Sequence, residues 1–264
     1  MVHTDIPPQP QVKPAATVVI FRHSETGRPP ELLMVQRAKN MRFAGGAAVF
    51  PGGRVDEADR TLAVEFLGDL AGDWAGDLEE TAARIAAIRE TLEETGLAIG
   101  IDRPVSGSEA AQAREMLLAQ GALAPVLADM GWRIKPEVLV PFARWCPMRD
   151  GSFDTRFYLA DLGTGAVDIT VDLTENTHLF WATAADALAM ADRGEISVIF
   201  PTRRNLDRLA LFGSFAESRA QALAHPVRMI TPAIIEEKGV QWLTIRDDQG
   251  YPITRQTMAT VTRG

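Results

Sequence analysis

Glu90, Glu93 and Glu94, in the stretch IRETLEETGL, place three carboxylates within five positions of one another. At about 100° per residue a helix brings i, i+3 and i+4 onto one face. The three would then stand side by side, with Ile85, Ile88 and Leu92 on the opposite side. Like charges at i,i+4 cost an isolated helix up to about 0.5 kcal/mol per pair, and a cation on that face would remove the penalty. Clustered carboxylates are hard oxygen donors that suit Mg²⁺ or Mn²⁺ rather than zinc or copper. The single cysteine, Cys146, and the four histidines offer no competing ligand spacing. A merely solvated acidic face is the alternative reading, so the surrounding residues have to decide.

They favour phosphate chemistry. Just upstream, VFPGGRVDEAD gives a strand ending in Gly52 and Gly53, where a backbone can approach a ligand or a neighbouring helix closely. Arg89 adjoins Glu90 and can hold a glutamate in position. Mg²⁺ bound by carboxylates typically bridges to substrate phosphates.

The elements that must position this face can be read from periodicity and breakers. Residues 15–21 (AATVVIF) and 31–37 (ELLMVQR) read as a hairpin, and a short strand, AAVF, precedes the glycines. The stretch from about 60 to 82 is acidic and interrupted by Gly68, Gly72 and Gly76, as in an inserted loop or short helices. It runs into the glutamate helix, for which Gly96 is a natural C-cap. Residues 107–132 are Ala/Leu-rich with helical spacing. Strands follow in VLVPFARW, DTRFYLADL and HLFWA, then helices capped by Thr183 and by Thr202. The last forty residues hold a strand, QWLTI, and a DDQGYP turn. Strands and helices in irregular order favour an α+β, three-layer architecture. The expected organisation is a lead-in over 1–14, a catalytic domain over 15–224 and an extension over 225–264 packed on the same domain.

Composition narrows the classes. A hydrophobic fraction of 46% and a charged fraction of 23% are those of an ordinary globular chain, and no apolar run is long enough for a membrane span. The N-terminus lacks the apolar core of a signal peptide and a lone cysteine fits a reducing compartment, so a cytoplasmic location is expected. A net charge of −8 argues against a nucleic-acid surface. Association into a homodimer is left open.

Gly53, Arg89, Glu90, Glu93, Glu94, Gly96 and Leu97 resemble the signature of the Nudix hydrolase superfamily, Gly, five residues, Glu, seven residues, then Arg-Glu-aliphatic-x-Glu-Glu-x-Gly-aliphatic. In this chain the first acid is Asp59, Thr91 replaces the aliphatic residue, and 29 residues instead of seven separate Asp59 from Arg89, an insertion of 22. Upstream, LMVQRAKNMRFAGGAAVFPGG is similar to the signature of the coenzyme A diphosphatase branch at Leu33, Arg37, Ala38, Arg42, Gly46, Phe50, Pro51, Gly52 and Gly53. The segments ARWCP, FDTRFYLA and WATAADAL resemble an acyl-CoA and CoA diphosphatase subgroup that carries an insertion in the box.

The resemblance implies a Nudix α/β/α sandwich with a mixed sheet, helical insertions and a C-terminal extension. It also implies a small-molecule, CoA-like nucleotide substrate and a divalent cation, Mg²⁺ or Mn²⁺, held by Glu90, Glu93 and Glu94, with CoA cleaved to 3′,5′-ADP and 4′-phosphopantetheine. ADP-ribose or NADH is the alternative substrate class, and a nucleotide sensor without turnover the alternative of another kind. Glu175, six residues before Trp181, reads either as an additional ligand or base or as a loop carboxylate. Arg37 and Arg42 are candidates for the substrate's phosphates. Arg203 and Arg204, in a first helical turn where a bound phosphate would relieve their conflict with the dipole, read more simply as structural, while Arg144 and Arg156, in strands, read equally as site residues or as partners of structural carboxylates. Trp145, Trp181 and Phe157 read as core.

Overall fold

The computed structural model describes residues 10–23, 27–38, 44–69, 77–162 and 176–261. Its centre is an eight-stranded mixed sheet. Strand β1 (Lys13–Arg22) lies in the middle, antiparallel to β2 (Glu31–Arg37) at one end and to β4 (Gly52–Arg54) at the other. Strand β3 (Ala48–Val49) pairs with β2. On the other side β1 runs parallel to β6 (Phe153–Asp161), which pairs with β5 (Val140–Trp145). Strand β7 (Asn176–Thr183) closes the far edge against β2.

Both faces of this sheet are buried, which is why β1 reads as an unbroken apolar run instead of an alternating one. Val18 and Ile20 point to one side, Val19 and Phe21 to the other. The first side is covered by α1 (Glu57–Asp69), α2 (Leu78–Thr95), α3 (Gly107–Gln120) and α4 (Leu123–Met130). The second is covered by α5 (Ala184–Asp192), α6 (Phe200–Leu209) and α7 (Phe215–Ala224). This is the three-layer α+β sandwich expected from the sequence.

Helix α2 is the glutamate helix. Asp77 caps its start by accepting the Glu80 N–H at 2.6 Å, and Gly96, at φ 74°, ends it by returning its N–H to the Leu92 carbonyl at 3.0 Å. Ile85, Ile88 and Leu92 enter the core as expected. Thr91, in the position where the family signature has an aliphatic residue, is fully buried, and its hydroxyl is satisfied within the helix by the Ala87 carbonyl at 2.7 Å.

Of the span from about 60 to 82, the described residues hold α1, which begins at Glu57, and the start of α2; residues 70–76 lie outside the described residues. One expectation is corrected. Thr202 caps nothing: α6 starts at Phe200 with Pro201 in its first turn, and Thr202 is buried inside it. Thr183 does cap α5, accepting the Asp186 N–H.

After α7 the chain adds β8 (Met229–Ile230), parallel to β5, and then a separate three-stranded sheet of β9 (Ala233–Glu237), β10 (Val240–Thr244) and β11 (Arg255–Thr257). Tyr251 leads this segment back into the core, where its hydroxyl donates to Asn205 at 2.7 Å and accepts from the Trp145 indole at 3.3 Å. No helix among the described residues is long and apolar enough to cross a membrane.

Candidate active site

The guanidinium of Arg89, buried at 5% exposure, organises the acidic face. Its Nε and one Nη2 donor form a fork onto Asp59 at 2.9 and 3.0 Å, and Nη2 also reaches the Arg54 carbonyl at 2.9 Å. Nη1 lies 3.0 Å from Glu90 and 3.2 Å from Glu93. A guanidinium has five N–H donors, so all of Arg89's are engaged within the protein. Asp59, at 1% exposure, accepts the Asp56 N–H as well at 2.9 Å. The 22 inserted residues therefore do not separate the two ends of the motif: α1 turns the chain back and Asp59 meets Arg89 through space.

The glycines make room. Gly52 sits at φ 150°, and a Cβ there would collide with the Ala16 carbonyl. Its N–H donates to Glu94 Oε2 at 2.9 Å. A Cβ on Gly53 would overlap the Glu90 carboxylate, so β4 and α2 can approach only because this position is glycine. A contact that reading the sequence did not find comes from α3, where the buried Arg114 donates to the Glu93 carbonyl at 2.9 Å. It brings positive charge to the last turn of α2. Arg114 lies in a helix 21 residues further on, and no local pattern marks it.

Four carboxylates, of Asp56, Asp59, Glu90 and Glu93, thus surround one guanidinium, at 3.7, 2.9, 3.0 and 3.2 Å, and Glu94 stands beside Glu90 on the same helix. Burial pushes the Glu90 carboxyl up to about 8; Arg89 opposes the shift, and Glu94 and Glu93 add to it. Burial would lower the Arg89 pKa, but the hydrogen bond to Asp59 and the surrounding carboxylates leave it raised. Among the described residues no three such groups converge on one point: Glu90 and Glu93 lean on Arg89, and Glu94 on Gly52. The donor set is nonetheless hard, clustered and short of positive charge, which fits a divalent cation.

The remaining candidates divide. Arg37 ends β2 at a β-bulge, and its Nε is buried with no hydrogen-bond partner among the described residues. Arg42 and Glu175 lie outside the described residues. Arg144 is paired with Asp154 at 2.6 Å, Arg156 with Glu80 at 3.2 Å, Arg203 with Asp192 at 2.5 Å and Arg204 with Asp207 at 2.8 Å, all structural. Trp145 and Phe157 are core, while Trp181 is half-buried beneath the Arg22 guanidinium at 4.3 Å.

A family model for the NUDIX domain matches residues 12–150, a span that takes in the glycine pair, Asp59 and the whole of α2. The chain belongs to the NUDIX family. Acyl-coenzyme A diphosphatase NUDT19 of Gallus gallus is 29% identical over 236 residues, covering 70% of this chain. The chain spans 62% of that relative's length. The crystal structure of a NUDIX hydrolase from Alicyclobacillus acidocaldarius superposes with a TM-score of 0.64 at 26% identity, covering 80% of this chain and 96% of that one. The residues that resemble the Nudix signature, Gly53, Asp59, Arg89, Glu90, Glu93 and Glu94, all fall within the matched span.

Two outcomes follow from the geometry. Asp59→Ala strands a buried guanidinium and lowers the unfolding free energy in urea by about 3 kcal/mol; a change within error would show that the pair is dispensable. Glu90→Gln does the reverse in chelator. Because the folded carboxyl titrates near 8 and the unfolded one near 4.5, the wild type loses stability as pH rises through that window. The variant lacks this loss and melts higher at pH 8, as a thermal melt across pH would show.

Proposed function

We propose that this chain hydrolyses the pyrophosphate of CoA or an acyl-CoA, giving 3′,5′-ADP and the corresponding 4′-phosphopantetheine. The observation that carries the reading is the buried Arg89 hub, with more carboxylates around it than it can neutralise, beside a glycine pair that opens the backbone. The diphosphatase relative and the CoA-type signature around Arg37 support the substrate class.

Glu90, Glu93 and Glu94 would hold Mg²⁺ or Mn²⁺. Such an ion lowers the pKa of bound water and neutralises charge on phosphate oxygens. Arg89, with no donor to spare, positions Glu90 and Glu93. The Gly52 N–H fixes Glu94. In the reaction, water adds to one phosphorus, the bridging P–O bond breaks, and a carboxylate takes the water's proton. Glu175 is a candidate for that base. Arg37, with its unpaired Nε, and Arg42 are candidates to bind the substrate's phosphates, where a guanidinium fork matches the oxygens.

A Nudix hydrolase of ADP-ribose or NADH would use the same box, so the 3′-phosphate of CoA is the discriminator. Mass spectrometry of incubations with CoA, an acyl-CoA, NADH and ADP-ribose should show 3′,5′-ADP from the CoA substrates only. Arg37→Ala should lower kcat/KM for CoA about tenfold or more while changing any residual NADH turnover far less. Equal losses on both substrates, or turnover of NADH alone, would reject the CoA assignment.

A further inference from the structure

On the face of the sheet opposite α2, Arg208 of α6 is buried at 2% exposure, and among the described residues no carboxylate pairs with it. Its Nε and Nη2 both donate to Gln221 Oε1, at 3.0 and 2.7 Å, and Nη1 to the Phe142 carbonyl at 3.0 Å. The rings of Phe142 and Tyr251 lie 4.1 and 5.2 Å from the guanidinium carbon. All these partners are neutral. These bonds take three of the five N–H donors, and the Tyr251 hydroxyl also interacts with the guanidinium, so no partner supplies a countercharge. An unpaired buried cation is retained at a large desolvation penalty unless an anion comes to it.

There is a place for one. A cavity of about 100 Å³ has Arg208, His225, Arg228, Asp248, Gln249 and Tyr251 among its twelve lining residues, and the other six are apolar. Its charged lining is two guanidiniums against one carboxylate, and Asp248 is already shared between Arg228 at 3.4 Å and Arg246 at 2.8 Å. Gln249 Oε1 is buried there without a hydrogen-bond partner. An O–H from the guest, or a turned amide offering its NH₂, would satisfy that side chain. A carboxylate supplies the single charge but no O–H donor. The monoanion of phosphate or of a phosphomonoester supplies an O–H donor, acceptor oxygens and one negative charge, which matches the excess of one.

We propose that this cavity is a phosphate site, taking either inorganic phosphate or the terminal group of a small phosphomonoester, and that its occupant ties the turn around Asp248 and Gln249 to α6 and α7. The site does not depend on the proposed hydrolysis.

The test is isothermal calorimetry in chelator at fixed ionic strength, with inorganic phosphate, methyl phosphate and acetate, supported by thermal melts. The wild type should bind one phosphate and melt higher with it. Arg228→Glu, at a residue 68% exposed, should weaken binding about tenfold or more without moving the melting temperature of the free protein. Arg37→Ala should leave binding unchanged, which separates this cavity from the candidate active site. Methyl phosphate binding as well as phosphate identifies a monoester guest; phosphate alone identifies the free ion. Arg208→Gln should abolish binding, and Arg228→Glu keeps the test valid should Arg208→Gln fail to fold. No binding in the millimolar range, acetate binding as tightly as phosphate, or undiminished affinity in Arg228→Glu would overturn the proposal.

Discussion

The bidentate pair between Arg89 and Asp59 is the interaction on which the site depends. Both side chains are buried, at 5% and 1% exposure, and each would be a severe liability alone. Together they fasten the first turn of α1 to the middle of α2, and with the second Nη2 donor on the Arg54 carbonyl they leave Arg89 two donors, those of Nη1, for Glu90 and Glu93. The carboxylates are therefore held by a group that is itself held. The same pair explains how the Nudix box can tolerate its insertion. What the box requires is an acid against Arg89 in space, and α1 supplies it from thirty positions upstream.

The stability of the fold is spent locally at this point. Glu90 is desolvated among like charges, Gly52 takes a backbone conformation that side chains rarely adopt, and Gly53 gives up a side chain so that a carboxylate can lie on the strand. None of these choices improves packing. They concentrate at one patch in a domain whose other elements agree with their local sequence, which is the pattern of a functional site embedded in a consistent scaffold.

Much of this was legible in the sequence because the signals are local. The β1–β2 hairpin, the cap residues Gly96 and Thr183, and the core face of Ile85, Ile88 and Leu92 sit within a few residues of the features that mark them. What was not legible depends on partners far along the chain. Arg114 finds the Glu93 carbonyl only through the packing of α3 on α2. The two-residue strand β8 is defined by β5, more than eighty positions earlier, and has no periodicity of its own. At the start of α6 a threonine looked like the cap, but Pro201, with its fixed φ and missing donor, sits in the first turn and the cap position falls on Ile199, three residues earlier. Asp59 is the intermediate case, since its type fitted the box and its spacing did not.

The central claim is that the carboxylates gathered by Arg89 form a cation site. Titration of the purified chain with Mn²⁺, followed by the electron paramagnetic resonance of the free ion, tests it without reference to any substrate. The account predicts saturable binding that Glu94→Gln and Glu93→Gln each weaken about tenfold or more, with the fold retained. Binding of equal strength in the wild type and both variants would contradict it and leave the acidic face of α2 a structural feature.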